Sequence, residues 1–238
     1  MRFDILTLFP DYVNIILSES IIGKAREKGC IEVCTHDIRA FCGNKHGRVD
    51  DTPYGGGMGM LMMAQPIYDA YLSIVEKIGY RPRTIYLTPQ GPLFTQQAAK
   101  EFALEEDVIL LCGHYEGVDQ RVLDEIADEE ISVGDYVLTG GELPACILVD
   151  AVSRLCDGVL SDSLCYEEES IASGLLEYPQ YTRPLCYHGV EVPAVLRSGH
   201  HENIEAWRLK QSLALTKERR PDLYETYLAK SAEEATKD

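Results

Sequence analysis

Residues 84–117 read TIYLTPQGPLFTQQAAKEFALEEDVILLCGHYEG, and this stretch decides the fold. Thr84–Thr88 is short, apolar and rich in β-branched and aromatic residues, as a buried strand requires. Pro89, Gln90, Gly91 and Pro92 end it with turn-forming residues. Thr95–Leu104 reads as a helix. Asp107–Leu111 reads as a second buried strand, closed by Cys112 and Gly113. Strand, helix and strand in so short a span imply a parallel βαβ unit.

The same alternation continues outward. Toward the N-terminus, Arg2–Leu8 reads as a strand and Asp11–Lys28 as one helix, with Val13, Ile16, Leu17 and Ile21 at helical spacing. Ile31–His36 is a further strand, residues 37–65 a long loop rich in Gly and Met, and Gln65–Tyr80 an amphipathic helix. Toward the C-terminus follow helix Val118–Ala127, strand Glu130–Val133 and the apolar helix Glu142–Cys156. This pattern predicts an α/β fold with a parallel sheet covered on both faces. Asp157–Leu175 is acidic and lacks a period, as a linker would. Beyond it come loops rich in Pro and Tyr and two helices, Asn203–Arg219 and Pro221–Ala235, with Asn203 as N-cap and Pro221 in the first turn. The expected organisation is a domain over 1–160, a flexible linker over 161–175 and a small, mostly helical domain over 176–238.

The chain has 238 residues, 45% of them apolar, enough for a sizeable core. No apolar run approaches the roughly 20 residues of a membrane helix, and the first residues lack a signal-peptide core, so a cytoplasmic location is expected. None of the eight cysteines forms a C-x-x-C pair. They read as buried free thiols; Cys30, Cys34, His36, Cys42 and His46 fit no common zinc spacing, and no metal site is assigned. The net charge of −17 argues against a general nucleic-acid binder. Charge is uneven, however: residues 100–170 hold 19 Asp and Glu against three Lys and Arg, whereas basic residues prevail from Arg197 to Arg220. A local basic surface there can dock RNA, although a solvated helix face explains it as well.

Ligands of open α/β sheets bind beyond the carboxyl ends of strands. Three loops stand there: 86–91, 112–117 and 132–144. Their glycines permit close backbone approach, and Tyr86, Leu87, Tyr115, Tyr136 and Leu138 beside them could sandwich a flat ring. None is G-x-G-x-x-G or G-x-x-x-x-G-K-[ST], and no phosphate-binding Lys is present, which suits a ligand without phosphates. Residues 50–61, DDTPYGGGMGML, read better as a flap than as a phosphate cradle or a plain connection.

Six strings carry a resemblance: PYGGGMGM at 53–60, YLTPQG at 86–91, CGHYEGVD at 112–119, SVGDYVLTGGELP at 132–144, YTRP at 181–184 and WRLKQSL at 207–213. In this order and register the chain resembles the bacterial tRNA (guanine-N1)-methyltransferase family TrmD, of the SPOUT class. The resemblance implies a deep trefoil knot in the α/β domain, with S-adenosylmethionine enclosed by the three loops. Its contacts would come from Tyr86, Leu87, Thr88 and Pro89 in the first loop, and from Gly113 and Tyr115 in the second. In the third they would come from Ser132, Val133, Gly134, Asp135, Tyr136, Val137, Leu138, Gly140, Gly141 and Pro144. The resemblance also implies a homodimer with composite active sites and, as substrate, the guanosine 3′ of the anticodon in tRNA. Magnesium dependence is implied too, without an evident cage.

The implied chemistry is coherent. Guanine N1 is a poor nucleophile until its proton leaves, which a carboxylate can remove. Charge then builds on O6, where an arginine can stabilise it. By position Arg154 matches the family's arginine, and Glu169 falls where the family has its aspartate base, with Glu168 one residue away; Glu116 completes the implied catalytic set. Two further departures are Met58 for a usual Pro and His114 for a common Arg. Arg183, His200, Trp207, Arg208 and Lys210 are the candidates to hold the anticodon stem-loop by stacking and phosphate contact. Trp207 is equally explicable as the anchor of the small domain. The rival readings are a SPOUT ribose 2′-O methyltransferase, a non-catalytic RNA-binding module and an unrelated α/β nucleotide enzyme.

Overall fold

The computed structural model describes residues 1–43, 47–160, 170–171 and 174–235. The chain divides into two compact units, Met1–Ser161 and Asp162–Asp238. The first unit runs β1 (Arg2–Thr7), α1 (Pro10–Leu17), α2 (Ser20–Glu27), β2 (Glu32–Asp37), a 3-10 turn Ile38–Phe41, β3 (Asp50–Asp51), β4 (Leu61–Met62) and α3 (Ala64–Ile78). It continues through β5 (Arg83–Leu87), α4 (Gln96–Phe102), β6 (Asp107–Cys112), α5 (Gln120–Ile126), β7 (Glu129–Ile131) and α6 (Glu142–Ser153). Five strands form a wholly parallel sheet in the order β2-β1-β6-β5-β7.

Because side chains alternate along a strand, each buried strand feeds two cores. Phe3, Ile5, Ile85, Leu87, Val108 and Leu110 pack with Val13, Leu17, Ala99, Phe102, Leu148 and Val149, which come from α1, α4 and α6. Leu6, Tyr86, Ile109 and Leu111 pack on the other face with Ile67, Ile74, Val122 and Ile126 from α3 and α5. Helices therefore cover both faces, as the near-continuous apolar strands predict. Local signals end the elements: the Thr95 hydroxyl accepts from the Ala98 N–H at the start of α4, and the Asp119 carboxylate accepts from the Arg121 N–H at the start of α5. Gly79 takes a left-handed φ of 90° after α3, and its N–H closes the helix on the Val75 carbonyl.

Three expectations are corrected. The single helix expected over Asp11–Lys28 is two, because the chain turns at Ser18–Ser20, with Ser20 at φ 58°. Gly23 then packs so close that a Cβ there would stand 2.1 Å from the Ser18 carbonyl oxygen. The loop over 37–65 contains the 3-10 turn and an antiparallel ladder of β3 and β4, which makes the glycine-rich segment the tip of a hairpin. In the second unit the long helix begins before Asn203, at His201, with His200 in the cap position and no side-chain capping bond.

The excursion that leaves β5 is tied to the end of β7, which comes later in the chain. The Thr88 N–H donates to the Ile131 carbonyl, the Ser132 N–H to Pro92, and the Phe94 N–H to Ser132. Residues 131–132 are thus hydrogen-bonded on both sides to one connection. A Cβ at Gly91 would stand 2.5 Å from the Glu130 carbonyl carbon, so only glycine lets the chain pass there.

The second unit has a small hairpin, β8 (Cys186–Tyr187) with β9 (Val190–Glu191), a 3-10 turn Ala194–Arg197, α7 (His201–Arg219) and α8 (Pro221–Ala235). Its buried residues, among those described, are Leu175, Ser212 and Thr216. The Thr216 hydroxyl donates to the Ser212 carbonyl and accepts from the Leu176 N–H. No described helix is long and apolar enough to cross a membrane.

Candidate active site

The loops that follow β5, β6 and β7 converge on one cleft of about 320 Å³. From the first it takes Tyr86, Leu87, Thr88, Pro89 and Gln90; from the second, Gly113, His114, Tyr115, Glu116 and Gly117; from the third, Ser132, Val133, Gly134, Tyr136, Val137, Leu138, Thr139, Gly140 and Pro144. Val118, Gln120, Leu123 and Ile131 complete the lining. Of the residues expected to hold a cofactor, Asp135 and Gly141 are outside it. Asp135 is exposed. Gly141 acts from behind: its N–H donates to the Gly113 carbonyl at 3.0 Å, joining the second and third loops.

Glycine is required here for space. A Cβ at Gly113 would meet the Tyr86 hydroxyl at 2.9 Å, at Gly134 the Tyr136 ring at 2.4 Å, and at Gly141 the Cys112 Cα at 2.6 Å. The backbone therefore forms the cleft wall, presenting N–H and C=O groups that a nucleoside edge can use. Tyr115, in the left-handed region at φ 60°, and Tyr136 keep half-exposed rings on the rim. Burial pushes the Tyr86 phenol up, so it stays a neutral donor. Burial also pushes the Cys112 thiol well up and the Cys146 thiol to about 11, so neither is a nucleophile at neutral pH.

The glycine-rich hairpin is stitched to the second loop. The Glu116 N–H donates to the Met60 carbonyl, Met62 N–H to Gly117, and Asp119 N–H to Met62. A Cβ at Gly59 would overlap the Glu116 side chain at 2.4 Å, so this glycine makes room for the one carboxylate among the cleft's described lining residues. Behind the third loop lies Glu142, whose side chain is only 4% exposed. It accepts from the Thr7 hydroxyl at 2.7 Å and pairs with the His114 imidazole at 2.7 Å. Periodicity and turn residues carry no sign of this contact, because its partners lie as far apart as residues 7 and 142. Gln90, His114, Gly117 and Thr139 were legible as members of the loops. Val118, Gln120 and Leu123 were hidden by their reading as plain helix.

The chain does not bring all candidate catalytic residues together. Arg154 caps the far end of α6 and lines a different depression with Ile16, Ile21, Ile22, Cys146, Asp150 and Leu160. The 12 residues of α6 between them place it roughly 20 Å along the helix from Gly141, at about 1.5 Å per residue. Glu168 and Glu169 lie outside the described residues.

In the second unit Arg183, His200 and Lys210 are exposed. Trp207 is half-buried and packs near Tyr181, with ring centroids 6.4 Å apart. Arg208 is engaged internally, paired with Glu205 at 2.7 Å and lying over the Tyr178 ring at 4.8 Å. Among the described residues no group of three or more His, Cys, Asp or Glu could hold a metal. Cys34 bonds the Glu32 carboxylate, His36 pairs with Asp4, and Cys42 bonds the Arg48 carbonyl; His46 lies outside the described residues. Of the seven described cysteines, only Cys112 and Cys146 are fully buried, so apolar sequence context overstated the burial of the others.

Comparison with known proteins gives this cleft its setting. Residues 1–226 match the family model for tRNA (Guanine-1)-methyltransferase TrmD. The chain is 57% identical over 224 residues to the tRNA (guanine-N(1)-)-methyltransferase of Ruminiclostridium cellulolyticum, covering 94% of this chain and 96% of that one. It is 54% identical over 234 residues to the enzyme of that name from Lachnospira eligens, covering 98% and 99%. With the Clostridioides difficile enzyme it shares 55% over 225 residues, covering 94% and 97%. The chain belongs to the TrmD family of tRNA (guanine-1)-methyltransferases.

Proposed function

We propose that this enzyme transfers the methyl group of S-adenosylmethionine to N1 of the guanosine 3′ of the anticodon in tRNA. The observation that carries this reading is the convergence of three glycine-rich strand-end loops on one cleft, in a chain of this family. The fit is chemical as well as spatial. The cleft offers backbone groups, a buried neutral tyrosine and aromatic rims, and among the described residues no lysine or arginine lines it, as suits a nucleoside without phosphates. When bound there, S-adenosylmethionine supplies an electrophilic methyl group on a positive sulfonium. The chain's own work is then to hold the adenine and amino-acid ends, to exclude water and to deprotonate the acceptor.

In this reading the Glu169 carboxylate takes the N1 proton, and Arg154 stabilises the charge that builds on O6. Glu116, held beside Gly59, faces the cleft as the third member of the set. Arg154 sits a helix length from the cleft of its own chain, so a site using both needs a second copy. Exposed Ile15, Ile16, Ile21 and Ile147 on α1, α2 and α6 support a homodimer face there. The hydrogen bonds that hold residues 131–132 between β5 and residues 92–94 support a threaded SPOUT-type knot. Arg183, His200, Trp207, Arg208 and Lys210 of the 176–238 domain would take the anticodon stem-loop, beyond a linker over 161–175. Magnesium has no protein cage in this reading. A tRNA substrate fits an enzyme of the cytoplasm.

Transfer of a radiolabelled methyl group to a tRNA transcript, followed by mapping of the labelled atom, tests the reading. Label on guanine N1 is expected. Label on a ribose would make the enzyme a 2′-O methyltransferase, and no transfer would leave an RNA-binding module. A gel-filtration mass near twice 26.6 kDa is expected; an active monomer would contradict the composite site.

A further inference from the structure

The buried Glu142 carboxylate has no part in the reaction above, yet it sits directly behind the cleft. Carboxylates are rarely buried unless paired. Its two oxygens are divided between two other loops: Oε1 accepts from the Thr7 hydroxyl at the end of β1, and Oε2 meets His114 Nε2 at 2.7 Å. The Thr7 oxygen in turn accepts from the Phe9 N–H, and the Phe9 ring lies 4.9 Å from the imidazole. Glu142 also opens α6, where a negative charge suits the positive end of the helix.

His114 has two sides. It lines the cofactor cleft, and it lines a neighbouring depression with Phe9, Tyr12, Leu138, Gly140 and Leu143. It thus forms part of the wall between them, together with Leu138–Gly140. The surrounding backbone leaves the ring no slack: a Cβ at Gly140 would stand 2.2 Å from His114 Nε2. The third loop carries Gly134, Gly140 and Gly141, whose backbone freedom makes it costly to hold in one shape. Backbone bonds tie its start, Ser132, to residues 92–94 and its end, Gly141, to Gly113.

We propose that His114 is a positioning residue for the methyl donor: clasped by Glu142, it locks the second and third loops in the spacing that the donor needs. The inference rests on S-adenosylmethionine occupying the cleft. The imidazole makes no transfer step; in its Nε2–H tautomer it donates to the Glu142 carboxylate. Any side chain with a donor at that reach should serve, and the charge of the ring should not matter. The loop order, and not merely the fold, depends on the clasp.

Four proteins test this: wild type, His114→Gln, His114→Ala and the pair His114→Leu with Glu142→Met. Titration calorimetry with S-adenosylmethionine, thermal melting, and KM for donor and for tRNA are measured on each. His114→Ala should weaken donor binding at least tenfold, about 1.4 kcal/mol, and raise the donor KM with the tRNA KM unchanged. His114→Gln places an amide N–H near the same point and should bind within threefold of wild type. The paired variant leaves no buried carboxylate without its partner, although the Thr7 hydroxyl loses its acceptor, so it should melt above His114→Ala yet bind donor as weakly. Wild-type affinity in His114→Ala, or affinity that returns with stability in the paired variant, would overturn the proposal. Loss of binding in His114→Gln equal to that in His114→Ala would overturn it too. A wild type that binds no donor would remove the cofactor reading instead, and the inference with it.

Discussion

The two units of this chain bury their side chains in opposite ways. The first packs a five-stranded sheet between two apolar cores, with Phe3, Ile5, Leu110 and Ile109 wholly enclosed. The second, among its described residues, encloses only Leu175, Ser212 and Thr216, and two of those three are polar. Under the proposed function the first would supply precision and the second adaptability. A small nucleoside needs a wall fixed to fractions of an ångström, which a packed sheet provides. A large polyanion needs donors on a surface that can adapt, which lightly buried helices provide.

The largest effect should come from the proposed general base. Glu169→Gln should lower single-turnover methyl transfer about a thousandfold, at the middle of the range for a general base, while calorimetry finds donor binding intact. Full activity would move the role to Glu168. Packing itself comes second. Leu110→Ala should destabilise the protein to urea by about 3 kcal/mol through the cavity it leaves. Leu209→Ala, half-exposed on α7, should change stability by less than about 0.5 kcal/mol. Equal losses would erase the contrast.

RNA binding should read the second unit alone. Trp207→Ala should weaken tRNA binding about tenfold, the lower end for a lost base stack, and leave donor affinity unchanged. Lys210→Ala should weaken it less and lower the slope of log affinity against log salt by about one unit. A shift in donor affinity in either variant would mean that the two surfaces are coupled.

The smallest effect separates a buried acid from an exposed one. Burial pushes the Asp4 carboxyl up, but the Arg2 guanidinium and His36 outweigh it and hold the group below the ordinary carboxylate range. A group depressed in the folded state stabilises above its unfolded value and loses that contribution as pH falls through the folded one. The melting temperature should therefore fall as pH drops below about 4, near the unfolded Asp value, and Asp4→Asn should flatten that fall. Asp222, drawn down by Arg220 but exposed, should leave the acid limb unchanged when replaced by Asn.

The sheet was legible because buried parallel strands are written as apolar runs: Thr84–Thr88 and Asp107–Leu111 each lie within a residue of β5 and β6. The break between α1 and α2 was not legible. Val13, Ile16, Leu17 and Ile21 hold helical spacing, yet Ile16 and Ile21 face outward, and apolarity does not say which side is water. The three loops could be read from their glycines. The clasp of Thr7, His114 and Glu142 could not, because it joins three loops through side chains with no common period. Arg154 was placed by resemblance; its distance from the cleft follows only from the helix that carries it.

Residues 131–132 have chain on both sides, and both flanks, at 88 and at 92–94, precede them in sequence. During synthesis from the N-terminus, the residues that flank them therefore leave the ribosome first. The third loop begins at Ser132, so the cleft proposed for the donor can close only after that late arrival. Gain of donor affinity in a timed refolding or translation experiment would then report the seating of this short segment, and the ligand would serve as a clock for the last step of assembly.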